Sequence, residues 1–421
     1  MGAVEDGISY LTAQSGASLM ALFWFTILFE IPRYTLSFLA AAIAAARTGR
    51  APSADPSDHR ISVIVAGHNE RDAIERCVMS LREQSVVPDE IIVVSDGSGD
   101  GMAGRLGELR DRGLITQALA TDLRAGKAAA TNLGLRWATG DIILNVDCDC
   151  SYDRHAIKRI IAPFADSEVG AVSGNILVRN PQASLVATFQ AIEYLISISL
   201  GKQASAFKDQ VVCVSGAFGA FRRTALDSVN GLDVGGGEDL DVTIRMRCAG
   251  WRMGFAADAI CYTDVPDTMR SFLSQRYRWE GDALRLRYRK HLALMNPLSH
   301  RFQLSELMHE IDFIVFHVIG SIMLPFYVAW LFLSYGMLAP LILLAAQAGL
   351  VLLDLVAFIL SALVTPKFRS LPLLPYVIGF GTFNGIIMRH IRLAAYMREW
   401  LFNASARDNY VPEKVRLVRR W

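Results

Sequence analysis

Two apolar blocks flank a polar middle, and that distribution limits the chain to a membrane-attached architecture. From Gly16 to Ala46 the only charges are Glu30 and Arg33, which bracket Pro32. A bilayer needs about 20 apolar residues, so this stretch is long enough to span, with a kink expected at Pro32. No basic residue precedes the run, and it is longer than the apolar part of a secretory leader, so cleavage is not expected. Apolar composition returns from about Leu304, where Ile311 to Met337, Leu338 to Val364 and Leu371 to Met388 each approach spanning length. The whole chain of 421 residues is 52% hydrophobic with a mean hydropathy of +0.30, above the usual soluble composition. Its net charge of +1 gives no reason to expect a nucleic-acid partner.

Charge sets the orientation. Glu5 and Asp6 precede the first span, whereas Arg47, Arg50 and Arg60 follow it. The positive-inside rule then puts the N-terminus outside and the next domain in the cytoplasm, in a multi-pass protein of the inner (plasma) membrane. Lys367 and Arg369 mark a cytoplasmic loop, and the basic tail belongs on the same side. These marks conflict, because one N-terminal span plus three C-terminal spans leaves the tail outside. Either the Pro/Gly-rich stretch from Leu371 to Gly385 is re-entrant, or the tail violates the charge rule. The expected division is 1–50 for the N-terminal transmembrane segment, 60–296 for a soluble domain, 304–398 for a C-terminal membrane region and 399–421 for a basic tail. Ala51 to His59, rich in Pro, Ser and Asp, reads as a linker.

Inside the polar zone, Ile61-Ser-Val-Ile-Val65, Glu90-Ile-Ile-Val-Val-Ser95 and Asp141-Ile-Ile-Leu-Asn-Val146 are short apolar runs separated by helical patterns. That alternation predicts a parallel, doubly wound α/β sheet, with ligands at the carboxyl ends of its strands. The six cysteines form no C-x-x-C pair and are scattered, so neither a disulfide framework nor a structural metal is expected.

Acidic residues follow two of those strands. Asp147 and Asp149 are hard oxygen donors two residues apart, suited to Mg²⁺ or Mn²⁺ on a diphosphate. An isolated D-x-D is more often a solvated turn. Asp96, ahead of Gly97, is placed to accept hydrogen bonds from a nucleoside, or to make a plain Asp-Gly turn. Lys127 sits at a helix start, where the dipole disfavours it, so a phosphate contact explains it better than helix stability does. Gly235-Gly-Gly-Glu-Asp239 is either a helix start with favourable charges or a loop presenting a general base, for which Asp239 is the candidate. Gln275, Arg278 and Trp279 share one helix face and can bind hydroxyls, a diphosphate and a sugar ring. The neighbouring Arg285, Arg287, Arg289 and Lys290 also fit a basic amphipathic helix on a membrane surface.

The ordered set Asp96, Asp147-x-Asp149, Glu238-Asp239 and Gln275-x-x-Arg278-Trp279 resembles the processive family 2 membrane glycosyltransferases: hyaluronan, chitin-oligosaccharide, poly-N-acetylglucosamine and cellulose synthases. The resemblance covers about Arg60 to His291 and implies an α/β GT-A (Rossmann-like) cytoplasmic catalytic domain inserted between transmembrane helices. It implies an inverting hexosyltransferase that elongates and exports a β-linked polysaccharide from a UDP-sugar, with Asp147 and Asp149 on the divalent metal and Asp239 as base. Glu70, in His68-Asn-Glu70, takes the nucleotide-contacting place together with Asp96, Lys127 and Asp147. Gln275, Arg278 and Trp279 line the meeting point of acceptor and diphosphate, and Cys213-Val-Ser215-Gly216 looks like part of the acceptor-side loop. Ala183 to Lys202 and Ser271 to His291 would lie at the membrane interface. The implied partners are the UDP-sugar donor, a growing saccharide or lipid acceptor, membrane lipid and an accessory export subunit. Ser95 departs from the family, where a second Asp is common, and so does Glu280-Gly-Asp282, where a basic or small residue is common. Two other readings stand beside this one: transfer of a single sugar to a lipid, as in ceramide glucosyltransferases with a similar Gln/Arg-x-x-Arg-Trp, and a non-catalytic membrane subunit. Intramembrane cost also singles out Asp312, His317 and Asp354.

Overall fold

The computed structural model describes residues 2–32, 34, 35, 38, 59–206, 211–233, 235–365 and 370–407. The end of the first apolar block, most of the linker, Lys367, Arg369 and the tail from residue 408 lie outside the described residues. The sheet is built from β1 (Ile61–Gly67), β2 (Glu90–Asp96), β3 (Gln117–Thr121), β4 (Ile142–Asp147), β5 (Ser151–Tyr152), β6 (Val169–Val178), β7 (Phe218–Arg222) and β8 (Arg252–Thr263). Their order is β3-β2-β1-β4-β7-β6-β8-β5.

The half of the sheet from β3 to β4 is parallel, as the strand–helix alternation implies. The other half departs from the expected all-parallel sheet. β7 runs antiparallel to both β4 and β6, and β5 is antiparallel to β8. The physical reason is that β6 is buried at every position and β7 at all but its last. A strand buried on both faces reads as one apolar run whichever way its neighbours point, so local hydropathy carries no direction.

The parallel half is sealed on one face by the Lys127–Trp137 helix, which approaches very closely. A Cβ at Gly134 would stand 2.6 Å from Ile64 Cγ2, so glycine sets that distance. Helices Arg71–Arg82 and Met102–Asp111 cover the opposite face, contributing Ile74, Cys77, Val78, Leu81, Met102, Leu106 and Leu109 to the main core. The carboxyl ends of β1, β2 and β4 therefore open on one edge, where His68, Asp96 and Asp147 emerge.

Two helical stretches, Leu304–Leu363 and Leu371–Phe402, are long and apolar enough to cross a membrane. The first is bent back at Gly336, whose φ of +53° ends the Gly320–Tyr335 helix before Ala339–Val364 begins. Leu22, Phe25 and Phe29 of the N-terminal segment pack on Leu324, Tyr327, Leu331, Ala339 and Ile342, at the bend end of this hairpin. The second stretch behaves differently. Its Leu373, Val377, Phe380, Phe383, Met388 and Ile391 are buried in the same apolar core as the sheet. Of the intramembrane candidates, Asp354 is buried and accepts from Tyr34 Oη at 2.5 Å, His317 stacks on Phe313, and Asp312 is exposed.

Candidate active site

A cavity of about 600 Å³ lies at the open edge of the parallel half, and Glu70, Asp96, Lys127, Asp147, Asp149, Asp239, Gln275, Arg278 and Trp279 all line it. Residues that the sequence scatters over about half the chain thus share one concave site, the arrangement expected of a ligand pocket.

Asp96 ends β2, and both its carboxylate oxygens are taken by the backbone N–H groups of Ala125 and Gly126, each at 2.7 Å. Its observed bonds therefore hold the turn that delivers Lys127, a role the nucleoside reading did not include. Lys127 in turn donates to Asp147 and, at 3.1 Å, to the Gly216 carbonyl, with Glu238 3.9 Å away. One lysine thereby ties the β4 carboxylate to the Cys213–Gly216 loop and to the acidic helix start.

Asp147 and Asp149 present oxygens within 4.8 Å of each other and of the Cys150 thiol. Burial first, and then the charge of Asp147, push the Asp149 carboxyl upward. A divalent cation between the two would relieve that repulsion, so the donor set fits a hard metal ion. Its hydrogen bond with Cys261 and its burial push the Cys150 thiol well above the ordinary thiol range, and a soft sulfur suits a hard ion poorly. Glu70 is pushed up to about 7 by burial and by Asp149, Asp147 and Asp100.

Asp239 lies in the first turn of the Glu238–Cys248 helix, so the helix-start and base-presenting readings both hold. Gly237 caps this helix at φ +70°, and a Cβ at Gly236 would collide with the Asp282 carboxylate. Those two constraints explain the glycine run. Asp239 Oδ2 accepts from Gly216 N–H at 3.3 Å and Oδ1 from Leu240 N–H at 2.8 Å. Beside it, burial raises Glu238 to about 7 despite the opposing pull of Lys127.

Gln275, Arg278 and Trp279 come from the Met269–Arg285 helix. Gln275 lines the cavity, and its Oε1 is buried without a hydrogen-bond partner. The Trp279 ring is backed by the Arg276 guanidinium, 4.8 Å from its centroid.

The geometry matches a known pattern: residues 62–229 fit the family described as Glycosyl transferase family 2. The chain carries a glycosyl transferase family 2 domain. Its transferase domain is 30% identical over 254 residues to a poly-beta-1,6-N-acetyl-D-glucosamine synthase of Staphylococcus aureus, covering 59% of this chain and 60% of that one. An N-acetylglucosaminyltransferase of Rhizobium meliloti is also 30% identical over 254 residues, covering 56% and 59%. The chain thus matches about three-fifths of the length of these curated relatives. A mannosyltransferase from Pyrobaculum calidifontis, solved with GDP-Man and Mn²⁺, shares the fold with a TM-score of 0.62 at 22% identity, over 91% of this chain and 99% of that one.

Three features of the transferase domain were not read from sequence. Arg276, between the singled-out Gln275 and Arg278, is buried and makes a paired salt bridge to Glu193 at 3.0 and 2.6 Å. Asp241 accepts from Arg245, Lys290 and His291 at 2.7–2.8 Å. Burial would raise its carboxyl, but those partners hold it well below the usual carboxylate range. Finally, the basic run after Trp279 is not a free membrane-facing stripe. Arg285 meets Asp282, Arg287 meets Glu310, Arg289 meets Glu399, and Lys290 meets Asp233 and Asp241. Charge clustering signalled these residues, but the carboxylates they pair with lie mostly on other elements.

Proposed function

We propose that this protein is an inverting hexosyltransferase that elongates a β-linked saccharide from a UDP-sugar at the cytoplasmic face of the inner membrane. The observation that carries this reading is the position of Asp239, on the same cavity as the paired carboxylates Asp147 and Asp149 and the Gln275–Trp279 face. Asp239 takes the proton from the acceptor hydroxyl as that oxygen bonds to the sugar anomeric carbon and the bond to the UDP oxygen breaks. Gly216 N–H and Leu240 N–H aim its two oxygens. Asp147 and Asp149 are the residues to hold Mg²⁺ or Mn²⁺, which supplies Lewis-acid stabilisation of the leaving diphosphate. Trp279 offers a ring to stack on a sugar and Gln275 an acceptor for its hydroxyls.

By their names the two curated relatives handle N-acetylglucosamine, so UDP-N-acetylglucosamine is the first donor to test. Purified protein with Mn²⁺ is expected to release UDP and to yield a high-molecular-weight product. A small glycolipid product would replace elongation by single transfer, and no release from any nucleotide sugar would overturn the reading.

The division at 60–296 with flanking membrane regions is part of the same proposal. The Leu371–Phe402 stretch meets the catalytic core along its length: Leu373 and Val377 lie in the main core, Phe383 stacks on Phe189 at 4.9 Å, and Arg392 and Tyr396 bond Glu280 at 3.1 and 2.8 Å. About 1.5 Å of rise per residue separates such contacts widely along the helix axis, so a helix touching the domain throughout runs along the interface rather than across the bilayer. Its other face exposes Ile378, Ile387, Met397 and Trp400, suited to lipid. This in-plane placement supports three spans and a cytoplasmic tail, and so removes the charge-rule conflict. Alkaline phosphatase fused after Trp421 is expected to be inactive; an active fusion would sink the topology.

A further inference from the structure

The Gly201–Ala206 helix places one lysine behind the loop that supports Asp239. Lys202 Nζ donates to Ser173 Oγ at 3.0 Å and to Ser215 Oγ. Ser173 is then saturated: its oxygen also accepts from Ser215 N–H at 3.2 Å, and its hydroxyl donates to the Gly174 carbonyl at 3.2 Å. An ammonium group has donors only, so Ser215 Oγ must be the acceptor in its bond with Lys202. The Ser215 hydroxyl proton is therefore left to donate elsewhere, and no acceptor for it is present among the described residues. Ser215 lines the cavity, and the next residue, Gly216, bonds Asp239.

We propose that Lys202 is a positioning residue that locks the Ser215 hydroxyl as a donor to a neutral oxygen of the acceptor saccharide, beside Asp239. This rests on the transferase reading above. A sugar hydroxyl that gives its own proton to a base keeps lone pairs for a second donor, and Ser215 supplies one. Lys202 removes the alternative in which Ser215 turns its proton inward and presents only lone pairs, which would compete with Asp239 for the acceptor's proton.

The test is calorimetric binding of a β-linked N-acetylglucosamine trisaccharide to the full chain with UDP present. Lys202→Met and Ser215→Ala are each expected to weaken trisaccharide binding about tenfold, the scale of one good hydrogen bond, with UDP affinity unchanged. Because the two side chains act as one unit, the double variant is expected to lose no more than either single one. Lys202→Arg, which keeps a cationic donor, is expected to bind nearly as the parent does. Multiplying losses in the double variant, or trisaccharide affinity untouched by Ser215→Ala, would overturn the proposal, as would a parent protein that does not bind the trisaccharide. A parent that binds it but releases no UDP from any donor sinks the transfer reading instead. Should Lys202→Met fail to fold, loss of UDP binding will show it, and Ser215→Ala decides.

Discussion

Asp239→Asn is expected to lower the transfer rate by about 10²–10⁴-fold, the usual contribution of a positioned general base. The substitution is nearly isosteric. The Asn carbonyl oxygen can still accept one of the two N–H groups that aim Asp239, from Gly216 or Leu240, so the loop has little reason to move. What is lost is basicity, because an amide cannot take the acceptor hydroxyl's proton. UDP affinity should stay within about twofold of the parent, since a group acting on the acceptor in the transition state adds little to ground-state donor binding. Asp149→Asn should behave in the opposite way. It halves the hard carboxylate set, so its main effect is weaker Mn²⁺-dependent UDP binding. Single-turnover rates and UDP titrations on both variants separate the two roles. Equal loss of UDP affinity in both would refute the division of labour.

The legible part of this site came from short-range chemistry. Carboxylates at strand ends, a glycine run before acidic residues and a Gln/Arg/Trp face each imply a function locally, and the cavity gathers all of them. Strands β1, β2 and β4 were legible for the same reason, because their apolar runs are written residue by residue, whereas β3, with no fully buried position, was not read. The rest depends on pairing between distant elements. Nothing near Arg276 names Glu193, and nothing near Lys202 names Ser215, although both pairs are held by direct bonds. The antiparallel entry of β7 and the lie of the last helix belong to the same class. Leu371–Phe402 has the composition of a span, yet it also contacts Phe189, Phe272 and Glu280 of the transferase domain, which hydropathy does not report. Hydropathy reports how apolar a helix is, whereas orientation depends on which surfaces accept its two faces.

Arg389→Leu is expected to cost about 3–5 kcal/mol of stability, the range for breaking a buried ion pair by removing one member. The guanidinium is fully buried in the last helix and reaches Glu30 of the N-terminal segment at 2.5 and 2.9 Å. A third bond, at 2.9 Å, goes to the Phe316 carbonyl, and the Phe25 ring lies 5.3 Å from the guanidinium carbon. Gly320 leaves the room, since a Cβ there would collide with Arg389 Nη1. Three segments far apart in sequence therefore meet on one charge. Removing it takes this cation from Glu30, whose side chain is 4% exposed. The penalty includes the weaker compensation of a buried carboxylate as well as the lost contacts, and that makes the prediction specific. Arg389→Leu combined with Glu30→Leu should recover most of the loss, because well-packed apolar pairs often match the ion pair they replace. Thermal unfolding of the detergent-solubilised full chain checks both. A single variant as stable as the parent, or a double variant losing the sum of both single losses, would show that this pair does not couple the N-terminal segment to the last helix.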